Sequence, residues 1–132
     1  MSTEPIALAT ALAAFDALWK PHIVTRVNDY DVRIAKLHGE FVWHVHEHTD
    51  EFFLVLDGRL EIAMREPAGE RTVHLPTGAV FSVPRGTEHR PAAPTGASIL
   101  LFEPSGTTNV GDRHDAVPDH ITETAGYALE DR

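Results

Sequence analysis

The chain has 132 residues, no cysteine and a formal net charge of −9, with 20 acidic against 11 basic residues. This length predicts one domain with a real core, and the absence of thiolates leaves nitrogen and oxygen atoms as metal ligands. The acidic balance disfavours a nucleic-acid partner, and no apolar run has membrane-spanning length. The N-terminus lacks the basic segment of a signal peptide, so we expect a cytoplasmic protein without a membrane partner.

The first predicted element is an amphipathic helix over residues 6–19, which begins after Thr3 and ends at Lys20-Pro21. Its apolar residues recur near helical spacing, at Ile6, Ala9, Leu12, Ala13 and Trp19. We expect this helix to cover an apolar sheet face or a partner subunit. A membrane-surface helix is disfavoured because the segment has few basic residues.

Short strands separated by turn signals follow the helix. They are predicted over residues 22–27, 30–37, 40–46, 51–56, 59–64, 71–75, 80–83, 89–92 and 98–102. Asp57-Gly58 predicts a hairpin. In the second strand, Val32 and Ile34 alternate with the charged Asp31 and Arg33. The pattern predicts an antiparallel all-β sandwich or barrel over residues 22–104, after a helix and linker over residues 1–21 and before a loop-rich tail over residues 105–132.

The densest group of metal-binding side chains lies in the segment between Gly39 and Gly58. His44 and His46 alternate on a strand, so their side chains point to the same face. After a short polar bend, Glu51 begins the next apolar strand. Two imidazoles and a carboxylate in this arrangement could meet around one ion of Zn, Fe, Mn, Ni or Cu.

A second segment adds a fourth candidate ligand and, with the first, carries a family resemblance. Residues 78–89 read as a strand, a Pro/Gly turn and then His89 at the start of another strand. Together the two segments resemble the two motifs of the cupin superfamily. The first motif falls on Gly39, His44, His46, Glu51 and Gly58, and the second on Gly78, Pro84, Gly86 and His89. The first spacer is one residue short and Ala93 stands where the family has Asn, but no ligand position is affected.

The chain resembles in particular the small single-domain bacterial cupins often labelled mannose-6-phosphate-isomerase-like. The resemblance implies a double-stranded β-helix, or jelly-roll cupin barrel, with the N-terminal helix added. It implies His44, His46, Glu51 and His89 as ligands of one divalent transition metal: Zn, Fe, Mn or Ni. It also implies a dioxygenase, isomerase or lyase type of reaction on a small hydroxy-carbonyl or carboxylate compound. A non-catalytic module that binds a small molecule or metal is the alternative.

Several residues near the motifs leave alternatives open. Asp50 is a competing carboxylate, although the family pattern favours Glu51, and His48 lies in the bend, where a surface position is expected. Arg33, Arg85 and Arg90 are candidates to meet an anionic substrate. His38 and His74 have no partner signal and are expected to be solvated or at a strand edge, whereas His22, His114 and His120 lie far from the motifs and are expected to have no chemical role.

Strand alternation predicts the lining of the barrel and the need for a cover. If Glu51 points inward, Phe53 and Val55 do too, whereas the apolar Phe52, Leu54 and Leu56 point outward. The predicted lining is Val42, Phe53, Val55, Phe81 and Val83, with Trp43 packed outside. Because both faces of this strand are apolar, we expect the helix, a second subunit, or both to cover the outer face, and we predict a homodimer.

Overall fold

The computed structural model describes residues 4–129, which contain ten strands and one short helix, α1. The helix covers Leu8–Leu12. The strands are β1 (His22–Val27), β2 (Tyr30–Glu40), β3 (His44–Val45), β4 (Glu51–Gly58), β5 (Leu60–Glu66), β6 (Gly69–Leu75), β7 (Val80–Val83), β8 (Glu88–Pro104), β9 (Arg113–His114) and β10 (Tyr127–Ala128). This architecture confirms the predicted all-β fold class with one N-terminal helix.

Strand β8 is the longest element and joins the two halves of the barrel. Its first part, residues 88–92, pairs antiparallel with β5, and its later part, residues 97–102, pairs antiparallel with β4. Along its other edge it pairs with β2 over almost its whole length. Its buried side chains are the odd-numbered ones from His89 to Glu103, apart from the exposed Thr95. The strand therefore carries a single row of inward-facing residues from one half of the barrel into the other.

The hairpin predicted at Asp57-Gly58 is wrong. Strand β4 pairs with β7 and β8, and β5 pairs with β6 and β8, so the two follow one another along the same edge of β8. Gly58 has a φ of 81°, and a Cβ there would overlap the carbonyl oxygen of Gly96. Glycine is needed at this position because two backbones touch where the sheet bends, and not because the chain reverses.

The N-terminal helix is shorter than the sequence predicts. It ends at Leu12, and Trp19, the predicted last residue, adopts a left-handed backbone with a φ of 59°. The backbone N–H of Trp19 donates to the carbonyl of Lys36 at 2.8 Å, and its indole N–H donates to the carbonyl of His38 at 3.0 Å. These bonds to β2 draw the segment out of the helix. Thr3, the predicted capping residue, lies outside the described residues, and the helix begins at Leu8 after Ala7, whose position has no side-chain cap.

The helix nevertheless performs its predicted role as a cover. Ala11 packs against Val24 and Ile34 on the outer face of the sheet. Partly buried apolar residues surround this contact: Leu8, Leu12, Phe15, Val32, Leu56, Leu100 and Leu129. The apolar outward face of β2 is thus buried under the N-terminal segment, separately from the core inside the barrel.

The residues after β8 have little regular structure but return to the barrel. Strand β9 pairs with β3, and β10 adds parallel to β1. Val110 and Ile121 are buried in the main core together with the apolar interior of the barrel. No helix within residues 4–129 has the length and apolar character needed to cross a membrane.

Candidate metal centre

Four side chains that are distant in the sequence meet inside the barrel. His44 on β3 lies directly opposite His89 on β8, His46 follows β3, and Glu51 begins β4. All four are buried, and one potential ligand atom from each lies within 4.8 Å of the others. The structure therefore brings together the whole set of residues predicted from the two motifs. We refer to this group as the histidine cluster.

The three imidazoles of the histidine cluster converge on one oxygen of Glu51. Its Oε1 lies 2.8 Å from Nε2 of His89, 3.2 Å from Nε2 of His46 and 3.7 Å from Nε2 of His44. Two atoms that each bind one metal ion at about 2.1 Å are about 3 Å apart when they are adjacent in its coordination shell. The spacing therefore suits a single ion held by three nitrogens and one carboxylate oxygen.

Backbone carbonyls determine which nitrogen carries the proton in two of the rings. Nδ1 of His44 lies 2.9 Å from the carbonyl oxygen of Val42, and Nδ1 of His89 lies 3.0 Å from that of Thr87. Because a carbonyl oxygen only accepts, each Nδ1 is the donor, and the neutral ring presents the lone pair of Nε2 to the cluster. Metal-binding histidines are oriented in this way in proteins generally.

Two nitrogens of the histidine cluster lack a hydrogen-bond partner. Nε2 of His44 and Nε2 of His46 are buried, and neither makes a hydrogen bond within the described residues. Buried polar atoms normally have a partner, because leaving one unpaired costs about 1–3 kcal/mol. A bound cation would satisfy both lone pairs, so the donor set and its unpaired atoms fit a transition metal.

Aromatic rings hold two of the imidazoles in position. Phe41 contacts His44 edge-on with ring centroids 5.2 Å apart, and Phe53 contacts His89 edge-on at 6.5 Å. The rings of His44 and His89 are themselves 4.2 Å apart. Such packing restricts ring rotation, so the cluster is organised by its surroundings as well as by its hydrogen bonds.

The turn after β7 and the segment after β8 hold the backbone that carries the histidines. The N–H of Gly86 donates to the carbonyl of His46, and the N–H of Asp112 donates to the carbonyl of Val45, both at 2.8 Å. Gly111 has a φ of 67°, and a Cβ there would overlap the Val45 carbonyl. The glycine of the P-x-G turn and a second glycine near the C-terminus therefore both support the histidine segment.

Charges within the histidine cluster shift three pKa values. Burial lowers the pKa of His44, and the neighbouring His89 and His46 lower it further. Burial also opposes the charge of His46, but the Glu51 carboxylate, with smaller effects of Glu103 and Asp112, outweighs it and raises the pKa of His46 to about 8. Burial disfavours the charge of Glu51, yet the positive charge of His46 and the close approach of the other two imidazoles hold the pKa of Glu51 well below its usual range.

The competing candidates from the sequence lie outside the histidine cluster. Asp50 is exposed, and its Oδ1 accepts the backbone N–H of Arg85 at 2.9 Å, which ties the bend to the P-x-G turn. His48 is exposed, as expected. Arg85 is exposed beside Asp50, and Arg90 lies over the ring of Trp43, 5.2 Å from its centroid. Neither arginine lines the cavity described next.

A cavity of about 40 Å³ adjoins the histidine cluster. It is lined by Trp19, Pro21, Ala35, Leu37, Phe41, His44, Glu51, Phe53, Pro91, Ile99, Leu101, Glu103 and Asn109. Of the predicted lining, Phe53 borders this cavity, Val42, Val55 and Val83 lie in the surrounding core, and Phe81 is only partly buried. Trp43 packs outside the cavity under Arg65, as predicted.

The sequence reasoning missed a second buried polar group, which we call the ion-pair cluster: Asp31, Arg33 and Glu103. Asp31 lies opposite Glu103 on neighbouring strands, and the buried Arg33 guanidinium is 2.9 Å from Asp31 Oδ2 and 3.5 Å from Glu103 Oε1. Arg33 is therefore engaged inside the protein. The available signal was strand parity, because Asp31 and Arg33 share a face with the apolar Ala35 and Leu37.

The two carboxyls of the ion-pair cluster differ in acidity. Burial disfavours the charge of Asp31, but hydrogen bonds from Ser105, Arg26 and Arg33 outweigh it and lower its pKa. Burial raises the pKa of Glu103 to about 8, and the charge of Glu51 adds to this effect, whereas Arg33 and His46 oppose it. Asp31 is thus the carboxylate that balances Arg33, and Glu103 is the one that retains a proton at neutral pH.

Comparison with protein families gives a match over most of the barrel. The model of the family described as Cupin domain matches residues 30–103, more than half of the chain. The uncharacterized protein YdbB of Bacillus subtilis (strain 168) is 39% identical over 67 residues, which are 51% of this chain and 57% of that protein. The chain thus spans little more than half the length of this curated relative.

Solved structures show the same fold. A cupin-2 domain containing protein from Shewanella frigidimarina NCIMB 400 has a TM-score of 0.71 and 36% identity, covering 75% of this chain and 93% of that one. Hydroquinone 1,2-dioxygenase from Sphingomonas sp. TTNP3, solved with 4-hydroxybenzoate bound, has a TM-score of 0.64 and 19% identity, covering 88% and 92%. At that identity the second likeness concerns the fold alone.

Proposed function

This chain belongs to the cupin family, and on that premise we propose that it binds one divalent transition metal through His44, His46, Glu51 and His89 and acts on a small hydroxy-carbonyl or carboxylate compound. The observation that carries the proposal is the convergence of three imidazole Nε2 atoms on one Glu51 oxygen, with two of those nitrogens buried and unpaired. Zn, Fe, Mn and Ni all accept this donor set.

The residues of the histidine cluster have distinct parts in this proposal. His44 and His89 present preoriented lone pairs, because their Nδ1 atoms are bound to backbone carbonyls. Glu51 supplies the negative charge that a divalent cation requires. A bound metal would supply Lewis acidity, which polarises a ligand oxygen. Phe41 and Phe53 keep bulk water away and lower the local dielectric, which strengthens every charge interaction in the cavity.

The size of the cavity beside the histidine cluster limits which ligands can reach a bound metal. The space of about 40 Å³ suits the oxygen-bearing head of a small molecule. Oxygenation, isomerisation and lyase reactions all begin with such a head held next to a metal. We further propose that the protein belongs with the cupins labelled mannose-6-phosphate-isomerase-like, and its pair of cupin motifs supports this grouping.

Metal content tests the first half of the proposal. Protein produced without a histidine tag should contain close to one transition metal per chain by inductively coupled plasma mass spectrometry. His46→Ala should lose most of it, because a ligand is removed from a four-donor set. His48→Ala is the matched control, since it deletes an exposed histidine two residues away and should keep the metal. Full occupancy in His46→Ala would refute the ligand assignment.

Turnover tests the second half. The metal-loaded protein would be offered small 2-hydroxy carboxylates, hydroxy-ketones and diphenols, with oxygen uptake and mass spectrometry of the products as readouts. Conversion that His46→Ala abolishes supports an enzyme. Tight ligand binding without conversion across the series would instead support the non-catalytic binding module.

We also propose a homodimer. Large apolar side chains are exposed at Val80 (60%), Val27 (48%) and Leu18 (45%), although α1 covers part of the outer sheet face. A second copy packed against such residues would remove them from water. Light scattering at micromolar concentration should give about twice the chain mass of 14.5 kDa. A mass of one chain would exclude the dimer.

A further inference from the structure

We propose that Glu103 is a ligand-positioning residue, whose Oε2 hydrogen-bonds an oxygen atom of a small hydroxy-carboxylate held at the histidine cluster. This inference rests on the proposed function and names a residue of the ion-pair cluster that no motif includes. Glu103 is 2% exposed and borders the same cavity as His44 and Glu51. Glu103 therefore borders the space in which a ligand of the metal would lie.

The free atom on Glu103 is Oε2. Oε1 lies 3.5 Å from the Arg33 guanidinium, whereas Oε2 is buried and makes no hydrogen bond within the described residues. A carboxyl oxygen buried without a partner is uncommon in a folded protein, and it indicates a group that a water or ligand completes. Glu103 differs in this respect from the other polar residues of the cavity wall.

Two of those residues are already engaged. Asn109 donates to the carbonyl of Thr122 and accepts from the backbone N–H of Thr124, and the indole N–H of Trp19 donates to the carbonyl of His38. Of the polar groups on the cavity wall, the fully buried atoms without a hydrogen-bond partner are thus Nε2 of His44 and Oε2 of Glu103. The first belongs to the metal-binding group. Oε2 of Glu103 is therefore the atom to which we assign direct contact with the ligand.

Arg33 does not require Glu103 as its counter-ion. Its guanidinium makes two hydrogen bonds to Oδ2 of Asp31, at 2.9 and 3.2 Å, and a third to the carbonyl of Thr107 at 2.9 Å. The contact with Glu103, at 3.5 Å, is the longest of the set. Arg33 orients the Glu103 carboxyl from one side while Asp31 neutralises the charge of the guanidinium.

The acidity of Glu103 indicates the class of ligand oxygen. In the metal-free protein its pKa is raised to about 8 by burial and by the Glu51 charge, so this environment favours the protonated carboxyl. Oε1 faces a guanidinium, which can only donate, and the proton therefore belongs on Oε2. A protonated Oε2 donates to an anionic or carbonyl oxygen, and a carboxylate is the ligand group that offers one next to a metal.

Cobalt and glycolate together provide the test. Protein loaded with Co²⁺ has visible absorption that changes when a ligand enters the metal's coordination shell, and glycolate is a hydroxy-carboxylate small enough for the cavity. Titration of wild type, Glu103→Gln, Glu103→Leu and Glu103→Asp would give one Kd for each. Glu88→Gln is the matched control, because this residue lies on the same strand with its side chain 43% exposed.

Glu103→Leu should raise the Kd for glycolate about tenfold, which corresponds to the loss of one hydrogen bond to a charged oxygen. Glu103→Gln keeps a donor and should restore affinity close to that of wild type. Glu103→Asp withdraws the carboxyl by one methylene and should weaken binding several-fold at unchanged Co²⁺ content. The last variant keeps a carboxyl group beside Arg33, so it tests the assignment even if Glu103→Leu does not fold.

The possible failures are distinguishable. Equal glycolate affinity in wild type and in the folded Leu and Asp variants would overturn the positioning role and leave the metal site standing. Loss of Co²⁺ from these variants would also overturn it, because Glu103 would then act on the metal site itself. Co²⁺-loaded wild type that shows no spectral response to glycolate would contradict the inference. Failure of the wild type to bind Co²⁺ would refute the proposed function.

Discussion

The histidine cluster and the ion-pair cluster are both buried in the same barrel, yet only the second contains a side chain that is positively charged at every pH, the guanidinium of Arg33. In the ion-pair cluster, Arg33 lies between Asp31 and Glu103 and makes three hydrogen bonds. In the histidine cluster, two buried Nε2 atoms have no hydrogen-bond partner within residues 4–129. The difference teaches that a buried polar group can be anchored by its own cation or can require one from outside, and that unpaired atoms, Oε2 of Glu103 among them, mark where a bound group would complete it.

Removal of the guanidinium should have the largest effect on stability. Arg33→Leu leaves the buried Asp31 carboxylate with only the half-exposed Arg26 as its cation, and we expect the free energy of unfolding to fall by about 3–5 kcal/mol, with or without metal. Urea denaturation measures this change. Arg26→Leu is the control, because Arg26 also contacts Asp31 but is half exposed and should cost no more than about 1 kcal/mol. An Arg33→Leu protein as stable as Arg26→Leu would show that the ion-pair cluster is not a structural unit.

Metal removal should have the next largest effect, confined to the histidine cluster. A metal at about 100 times its Kd stabilises the folded state by about 2.7 kcal/mol, and a chelator should remove that contribution. Thermal unfolding with added metal and with chelator measures the difference. Arg26→Leu should respond to metal as the wild type does, whereas His46→Ala should not respond. Equal stabilisation of His46→Ala would mean that the metal binds elsewhere.

The pH dependence of the metal-free protein should separate the two clusters further. The pKa of Glu103 is raised from 4.5 to about 8 in the folded state, so between these values the folded protein holds a proton that the unfolded chain has released. The free energy of unfolding should therefore decrease as the pH rises from 5 to 8, by at most about 1.4 kcal/mol per pH unit for this group. His46, with its pKa raised to about 8, adds a decrease of the same sign above pH 6.5, whereas the lowered pKa of His44 contributes an increase as the pH rises toward 6.5.

Glu103→Gln isolates the part of this dependence that belongs to Glu103. Urea denaturation at pH 5, 6, 7 and 8 in the presence of chelator should show a flatter curve for this variant below pH 6.5. The decrease due to His46 above pH 6.5 should remain. A variant with the slope of the wild type across the whole range would contradict the assignment of that proton to Glu103.

Asp50→Ala should have the smallest effect, and it tests whether the carboxylate next to Glu51 in the sequence contributes to metal binding. The change removes an exposed acceptor of the Arg85 backbone N–H, which should cost about 1 kcal/mol or less. Metal affinity, measured by competition with a chromophoric chelator, should change by less than about tenfold. Glu51→Gln, one residue later, should lose far more, because it removes a donor oxygen. Equal losses in the two variants would make Asp50 a ligand.

The histidine cluster could be predicted from the sequence because its information is local. Alternation places His44 and His46 on one face, and the spacing to Glu51 and to the turn before His89 matches the cupin motifs. The same local reasoning assigned Asp31 and Arg33 to a polar face opposite Val32 and Ile34. In the structure both faces of β2 are buried, the charged one inside the barrel and the apolar one under α1. Periodicity detects two faces but does not say which of them is covered.

What the sequence determined by itself was the all-β class, most strand positions and the four residues of the histidine cluster, because these depend on side-chain alternation and short spacing. Tertiary structure decided that β4 and β5 share an edge of β8, that Trp19 leaves the helix to bond with β2, and that Glu103 lies beside the cavity. Each of these depends on contacts between residues far apart in the chain, where backbone hydrogen bonds and burial outweigh local preference.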